Sequence, residues 1–357
     1  MKDAYILLED GQIFKGKRIG SERDTIGELV FTTSMIGCNK TLTDPTYYGQ
    51  LVLFTFPSVG NCGLITADFE SEGVHAFGCV MRELCDTPSN FRMEGTLGAY
   101  LQKADIPGIC GVDTRRLTAI LRDCGTMNAC ICADPTAIDL NTVKSYAVGD
   151  AVAAVSIRQK TTYKPDKAAR CRVALLDYGT KAELLRELLG RGCEVTVYPQ
   201  DTPADAVLAD NPDGVLLGDG PGDPKVNAQR VEQIQKLCGK KPLFAVGLGH
   251  ELLALAAGGD TLKLPYGHRG ANLPVTETSS GRTVVTSQNH GYAVAADSIP
   301  AQVGRISFFN ANDGTAEGVE YTAFDAFSVQ FRPAVSPGPL NTAMLYDRFV
   351  DRLADAR

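Results

Sequence analysis

The sequence predicts an α/β protein in two domains: a β-rich amino-terminal domain, then a domain with a mostly parallel sheet covered by helices. The chain has 357 residues, more than the roughly 250–300 at which a single hydrophobic core stops growing. Short apolar runs separated by turn residues dominate up to about residue 133, whereas aliphatic runs alternate with helical patterns from residue 172. We therefore place the domains at residues 1–150 and 172–357, joined by a polar linker over residues 151–171.

The amino-terminal half reads as short strands. We predict strands over residues 4–9, 11–14, 28–33 and 50–57, because Asp-Gly, Ile-Gly and Asp-Pro pairs punctuate the apolar runs. Residues 117–122 have helical spacing and follow Asp113-Thr114, a plausible helix cap.

In the carboxy-terminal half, aliphatic strands alternate with amphipathic helices. Strands are predicted over residues 172–177, 194–198, 214–217 and 242–246, and a helix over 181–189 ends at Gly190 and Gly192. Near-continuous aliphatic strands indicate a parallel sheet buried on both faces. Ligands bind beyond the carboxyl ends of such strands, where residues 177–179, 218–224 and 247–251 lie.

Composition excludes several classes of protein. A hydrophobic fraction of 44% and a charged fraction of 22% are ordinary for a soluble globular chain, and no segment approaches the ~18 uninterrupted apolar residues of a membrane helix. The net charge of −7 argues against a nucleic-acid partner. The first ten residues carry too many acids for a secretory signal, so we expect a cytoplasmic protein that binds neither nucleic acid nor membrane.

The chain contains eleven cysteines, which we expect to be reduced thiols in a protein without an export signal. Cys130 and Cys132, with Cys124 nearby, could form a metal site or could be small core residues. The core interpretation is favoured, because no histidine lies near them in sequence and the four histidines are spread along the chain. No metal site is predicted.

The stretch LFAVGLGHELLALAAGG, residues 243–259, has the strand–turn–helix pattern of a nucleophile elbow. An apolar run breaks at Gly247-Leu248-Gly249 and continues as a helical pattern. The nucleophile of such an elbow would stand at position 247, where this chain has a glycine.

Several motifs in fixed order carry a family resemblance. They are Asp219-Gly220-Pro221-Gly222-Asp223-Pro224, Leu248-Gly249-His250, Gly267-His268-Arg269-Gly270-Ala271-Asn272, Ser287-Gln288-Asn289-His290-Gly291 and Gln330-Phe331-Arg332-Pro333. Together they resemble the class I, triad-type glutamine amidotransferase domain, in which an elbow cysteine attacks the side-chain amide of glutamine and releases ammonia.

The amino-terminal half extends the resemblance. Met35-Ile36-Gly37, Leu42-Thr43-Asp44-Pro45-Thr46-Tyr47, Gly60-Asn61, Gly111-Val112-Asp113-Thr114-Arg115 and Asp177-Tyr178-Gly179-Thr180-Lys181 are similar to the small subunit of carbamoyl phosphate synthetase. The resemblance implies a cytosolic heterodimer with a large subunit that makes carbamoyl phosphate for pyrimidines and arginine. It also implies that ATP and magnesium belong to that partner and that this chain holds no cofactor.

The positions that match the family's catalytic triad are all substituted. The nucleophile, its base and the acid that orients the base correspond to Gly247, Arg332 and Ala334. Gly247 offers no thiolate, a guanidinium cannot take up a proton, and Ala334 cannot orient a base. The resemblance therefore predicts a chain that has lost the glutaminase reaction.

The positions that match the family's glutamine contacts are better kept. They are Thr46, Gly220, Gly222, Leu248, Glu251, Asn289, Gly291 and Tyr292. Glu251 replaces a glutamine, Thr46 a serine and Tyr292 a phenylalanine. The oxyanion-type donors would be the backbone amide of Leu248 and one from the Gly220–Gly222 turn. We also expect Glu251 and Arg332, two new charges in one site, to pair with each other.

The resulting hypothesis is a small-subunit homologue without glutaminase activity that serves its large subunit as a structural or regulatory partner. Two alternatives remain at this stage. The vacant site could bind glutamine, glutamate or another amino acid and report it to the partner. The chain could also be an amidotransferase with an unrecognised nucleophile.

Overall fold

The computed structural model describes residues 2–333 and 342–355, except for the side chain of residue 355. The chain forms two compact units with the boundary between Ala151 and Val152, and the later segment Pro265–Arg269 belongs to the first unit. Among the described residues, no helix is long and apolar enough to cross a membrane.

The first unit contains a closed barrel. Its strands are β1 (Asp3–Leu8), β2 (Ile13–Gly20), β3 (Thr25–Thr32), β4 (Gln50–Phe54), β5 (Ser58–Val59), β6 (Gly78–Val80), β7 (Glu83–Leu84), β8 (Pro107–Cys110) and β9 (Met127–Cys132). The barrel order is β1-β2-β8-β6-β4-β3-β9, and β5 pairs with β7 beside it. The predicted β-rich character is confirmed, and closure removes the sheet edges that an open sheet would expose.

Four short helices accompany the barrel: α1 (Cys38–Leu42), α2 (Leu97–Lys103), α3 (Thr114–Cys124) and α4 (Leu140–Lys144). The predicted cap of α3 is confirmed, because the Asp113 carboxylate accepts the Arg116 amide hydrogen at 2.9 Å. Strand residues alternate between two cores, so Leu29 and Phe31 pack in one and Val30 in the other.

The second unit is an α/β layer structure. Its strands are β10 (Thr161–Tyr163), β11 (Cys171–Leu176), β12 (Cys193–Tyr198), β13 (Gly214–Leu217), β14 (Leu243–Val246), β15 (Thr261–Glu277), β16 (Thr283–Val294), β17 (Gly304–Asn310), β18 (Ala316–Tyr321) and β19 (Ala326–Val329). Helix α5 (Ala151–Val155) begins at the last residue before the boundary, and the other helices of the second unit are α6 (Ala182–Gly190), α7 (Ala204–Ala209), α8 (Ala228–Leu237), α9 (Leu248–Ala256) and α10 (Met344–Asp355).

The ten strands form one sheet in the order β10-β12-β11-β13-β14-β19-β18-β16-β15-β17. Five neighbouring strands, from β12 to β19 in that order, are parallel. Antiparallel strands extend both ends, and the short strand β10 at one end lies in the segment 151–171 that was expected to be a linker. The predicted α/β class with a parallel sheet at its centre is confirmed.

The two faces of the parallel strands are buried in separate cores, because successive side chains of a strand point to opposite faces. On β11, Ala174 and Leu176 pack with residues of α8 and α9, whereas Val173 and Leu175 pack with residues of α6 and α10. Both helical layers predicted by the aliphatic pattern are therefore present.

All eleven cysteines lie within the described residues, and none of them forms a disulfide. Cys130 and Cys132 lie buried in β9, as the core interpretation expects, while Cys124 is exposed at the end of α3.

Candidate functional site

The candidate site is built around the turn between β14 and α9. β14 lies between β13 and β19 in the parallel part of the sheet, so its carboxyl end opens at the edge where ligands bind in such folds. Gly247 connects strand to helix with φ 57° and ψ −120°. Positive φ is unfavourable for any residue with a Cβ. The strand–turn–helix geometry predicted from the sequence is therefore present, with a glycine at its apex.

Asp219 is the side chain closest to this apex. It follows β13 and is only 5% exposed. Its Oδ1 accepts hydrogen bonds from the backbone amides of Gly220 at 2.8 Å and Leu248 at 3.2 Å. A Cβ built on Gly247 would lie 2.0 Å from the same oxygen. The carboxylate thus occupies the space that a nucleophilic side chain would need.

Arg332 holds the other side of this carboxylate. Its Nε donates to Asp219 Oδ2 at 2.8 Å, and the two side chains are 6% and 7% exposed. The Arg332 backbone amide donates to Ser287 O at 3.0 Å, which fixes the residue against the strand segment that precedes Asn289. Charge-assisted bonds of this kind are among the strong hydrogen bonds of proteins.

The expected pair between Glu251 and Arg332 is wrong. Arg332 pairs with Asp219, and Glu251 lies in the first turn of α9 with 3% exposure. Burial raises the pKa of Glu251 well above its ordinary value, the charges of Asp219 and Asp223 add to this, and Gln330 partly offsets it. The raised pKa favours the protonated carboxyl, and a neutral glutamic acid has nearly the shape of a glutamine.

Two glycines of the turn after β13 are required by the structure. A Cβ on Gly220 would lie 2.3 Å from the carbonyl oxygen of Tyr178, and Gly222 has φ 94°. A structural need therefore accounts for both residues without any ligand.

The remaining predicted glutamine contacts lie on two other elements. Asn289, Gly291 and Tyr292 follow one another along β16, and the carbonyl of Tyr292 lies 2.6 Å from Nδ1 of the His290 ring. Thr46 belongs to the first unit, where its hydroxyl donates to Asp44 Oδ1 at 2.7 Å. Ala334 lies outside the described residues.

His250 does not offer a replacement base. Its ring is fully buried, Nδ1 lies 2.7 Å from the hydroxyl of Ser328, and burial lowers its pKa to about 3. The imidazole is therefore neutral at physiological pH and is held in the interior between α9 and β19.

Sequence reasoning assigned no role to the side chain of Asp219. The motif drew attention to its glycines, and the acid looked like part of a turn. Two features of the sequence pointed to it: an acidic residue in the turn that follows a buried strand, and an arginine at position 332 that needs a counter-ion.

Comparison with known proteins gives a consistent result over the whole chain. Residues 6–131 match the family described as carbamoyl-phosphate synthase small chain, CPSase domain, and residues 174–352 match glutamine amidotransferase class-I. A carbamoyl phosphate synthase small chain from Listeria monocytogenes is 44% identical over 356 residues, which cover 99% of this chain and 97% of that protein. One from Clostridium perfringens is 42% identical over 349 residues, covering 97% and 98%. A pyrimidine-specific small chain from Halalkalibacterium halodurans is 44% identical over 351 residues, covering 97% and 95%.

Proposed function

The chain belongs to the carbamoyl phosphate synthase small-chain family, and we propose that it has lost glutamine hydrolysis and serves as a structural partner of a large subunit that uses free ammonia. The family implies the large subunit, whose reaction would supply carbamoyl phosphate for pyrimidine and arginine synthesis. In this proposal ATP and magnesium are bound by that partner, this chain binds no cofactor, and the complex is cytoplasmic.

One observation carries the proposal: the elbow places a glycine, φ 57°, against a buried ion pair formed by Asp219 and Arg332. Covalent hydrolysis of an amide needs a nucleophile and a general base that moves its proton. Gly247 has no side chain, and the guanidinium of Arg332 stays protonated and is engaged by Asp219. The two described triad positions therefore hold groups that cannot perform either role.

Other thiols are poorly placed to substitute. Cys238, the nearest cysteine upstream of the elbow, follows α8 at the opposite end of β14 from Gly247, and burial raises its pKa to about 11. A thiol with a raised pKa is a poor nucleophile at neutral pH.

The test is to purify the chain together with its large subunit and to measure carbamoyl phosphate formation from glutamine and from ammonium chloride. We expect turnover with ammonium chloride and none with glutamine, because the ammonia-using chemistry belongs to the partner. The matched control is the same assay with the Listeria monocytogenes small chain in place of this chain. Glutamine-dependent turnover that a thiol-directed reagent abolishes would contradict the proposal.

Calorimetry with glutamine and with glutamate distinguishes the sensor alternative. Binding without turnover, together with a change in the ammonia-dependent rate of the large subunit, would replace the scaffold role by a regulatory one. If neither amino acid binds and the ammonia-dependent rate does not change, the structural role is supported.

A further inference from the structure

The backbone amides at the elbow form an anion-binding arrangement. In enzymes with a strand–turn–helix elbow, the amide of the residue after the nucleophile holds the negatively charged oxygen that forms during the reaction, together with a second amide from a neighbouring loop. Here the first of these amides is that of Leu248, at the start of α9, and the second is that of Gly220. A helix amino terminus also favours negative charge.

Both amides point at a single atom of the protein itself. Asp219 Oδ1 accepts from Gly220 N at 2.8 Å and from Leu248 N at 3.2 Å. Both distances are those of ordinary N–H···O hydrogen bonds. The internal carboxylate oxygen therefore sits where the oxygen of a reacting amide would be bound.

The charge of this internal anion is balanced on its far side. Arg332 Nε donates to Asp219 Oδ2 at 2.8 Å, and both side chains are buried. A buried carboxylate is tolerated when it is paired and hydrogen bonded. Arg332 stands at the position of the catalytic base, so the replacement that abolishes proton transfer also supplies the counter-ion.

Gly247 completes the arrangement sterically. A Cβ at this position would approach Asp219 Oδ1 to 2.0 Å and Cγ to 2.4 Å. The present position of the carboxylate is therefore compatible with glycine and with no other residue at the apex.

We propose that Asp219 is a permanent internal ligand of the oxyanion-binding amides, that Arg332 is its counter-ion, and that positions 219, 247 and 332 depend on one another as one unit. The inference rests on the proposed function for the identity of the site and deepens it. An amide or carboxyl substrate cannot place its oxygen on these donors while Asp219 occupies them.

Chemical rescue tests the internal ligand in the full chain alone. Asp219→Ala removes the oxygen that accepts from the Gly220 and Leu248 amides, and it removes the carboxylate that pairs with the buried Arg332. We therefore expect the melting temperature to fall by about 6–20 °C. Sodium formate should then bind in place of the carboxylate. At about ten times its dissociation constant it should raise the melting temperature of the variant by roughly 3–6 °C over sodium chloride of equal ionic strength.

Two controls keep the result specific. Asp260→Ala removes a carboxylate from an exposed pair with Lys225, whose side chains are 52% and 59% exposed for lysine and aspartate. We expect a change of less than about 4 °C there, with no response to formate. If Asp219→Ala fails to fold, Asp219→Asn with Arg332→Met removes both charges and keeps the shape. This double variant should melt above either single variant.

A formate response confined to Asp219→Ala, or a double variant that melts above both singles, supports the proposal. Equal formate responses in the parent and in Asp219→Ala, or a double variant no more stable than the singles, would overturn it. These measurements use neither glutamine nor a partner. Glutamine hydrolysis by the parent would therefore contradict the proposed function separately from the melting data.

Discussion

Adding one carbon at the elbow is the most informative perturbation of this structure. Gly247→Ala places a Cβ on a residue with φ 57°, a conformation that costs about 1–3 kcal/mol for residues other than glycine. The same Cβ would lie 2.0 Å from Asp219 Oδ1. The carboxylate is held by the Leu248 amide at this oxygen and by Arg332 at Oδ2, so the overlap adds about 1–3 kcal/mol.

The two costs sum to about 2–6 kcal/mol, which predicts a fall in melting temperature of roughly 4–24 °C for a unit of this size. Gly258→Ala is the matched control, because Gly258 has φ 90° and a Cβ there meets nothing within 4 Å. It measures backbone strain alone. Both variants are also made in the Asp219→Ala background, and all melting temperatures are measured. This double-mutant cycle separates the backbone strain from the steric overlap with Asp219.

The expected outcome is a larger loss for Gly247→Ala than for Gly258→Ala, with the excess reduced when Asp219 is alanine. If Gly247→Ala has the same melting temperature as the parent, both the strain and the overlap are refuted. An excess that is unchanged in the Asp219→Ala background would refute the overlap.

The same geometry predicts that Gly247→Cys will not restore glutaminase activity and will lower stability. The returning thiol meets Asp219, and Arg332 cannot give a proton to the departing ammonia. Restoration requires at least Arg332→His and Ala334→Glu, with Asp219→Asn to weaken the hold on the amides and Glu251→Gln to rebuild the contact, because such residues act as a unit. Ammonia release by Gly247→Cys alone would contradict this account.

Three further predictions concern the interior of the second unit. Glu251→Gln should raise stability at neutral pH. Because the folded-state pKa of Glu251 is raised, the free energy of unfolding of the parent falls by up to about 1.4 kcal/mol per pH unit above about pH 4.5. The melting temperatures of the two proteins should coincide near pH 4 and diverge above it. A difference in melting temperature that does not grow with pH would contradict this. His250→Gln should flatten the loss of stability on the acid side. Because the pKa of His250 is about 3 in the folded state, this histidine is protonated only in the unfolded chain below about pH 6.5, and this disfavours folding. If the melting temperature of the variant falls with pH between 6.5 and 4 as steeply as that of the parent, the prediction is wrong. Phe244→Ala should lower the free energy of unfolding by about 3–5 kcal/mol, because the fully buried ring stacks on Phe327 with centroids 4.5 Å apart. Chemical denaturation measures this loss, and Phe244→Leu should show a smaller one. Equal losses in the two variants would contradict the packing argument.

The sequence determined the local elements well, because each follows from neighbouring residues. The aliphatic run from β11, in which all residues but Arg172 are buried, required a sheet covered on both faces. The cap at Asp113 and the strand–turn–helix at Gly247 were readable for the same reason. Ordered motifs also identified the family.

Closure of the barrel and the antiparallel extension of the large sheet were decided by tertiary structure. Strands β1 and β9 pair although about 120 residues separate them along the chain, and alternation of residues along a strand does not specify which strand becomes its neighbour.

The partner of Arg332 was likewise beyond the sequence. Two acids, Asp219 and Glu251, follow the neighbouring strands β13 and β14 at the same sheet edge, and a pattern of charges cannot say which of them reaches the guanidinium. The fold turns Glu251 into the interior along α9, where burial raises its pKa, and brings Asp219 within 2.8 Å of Arg332 across 113 positions of the chain. Pairing of buried charges depends on distances set by packing, and packing exists only once the chain has folded.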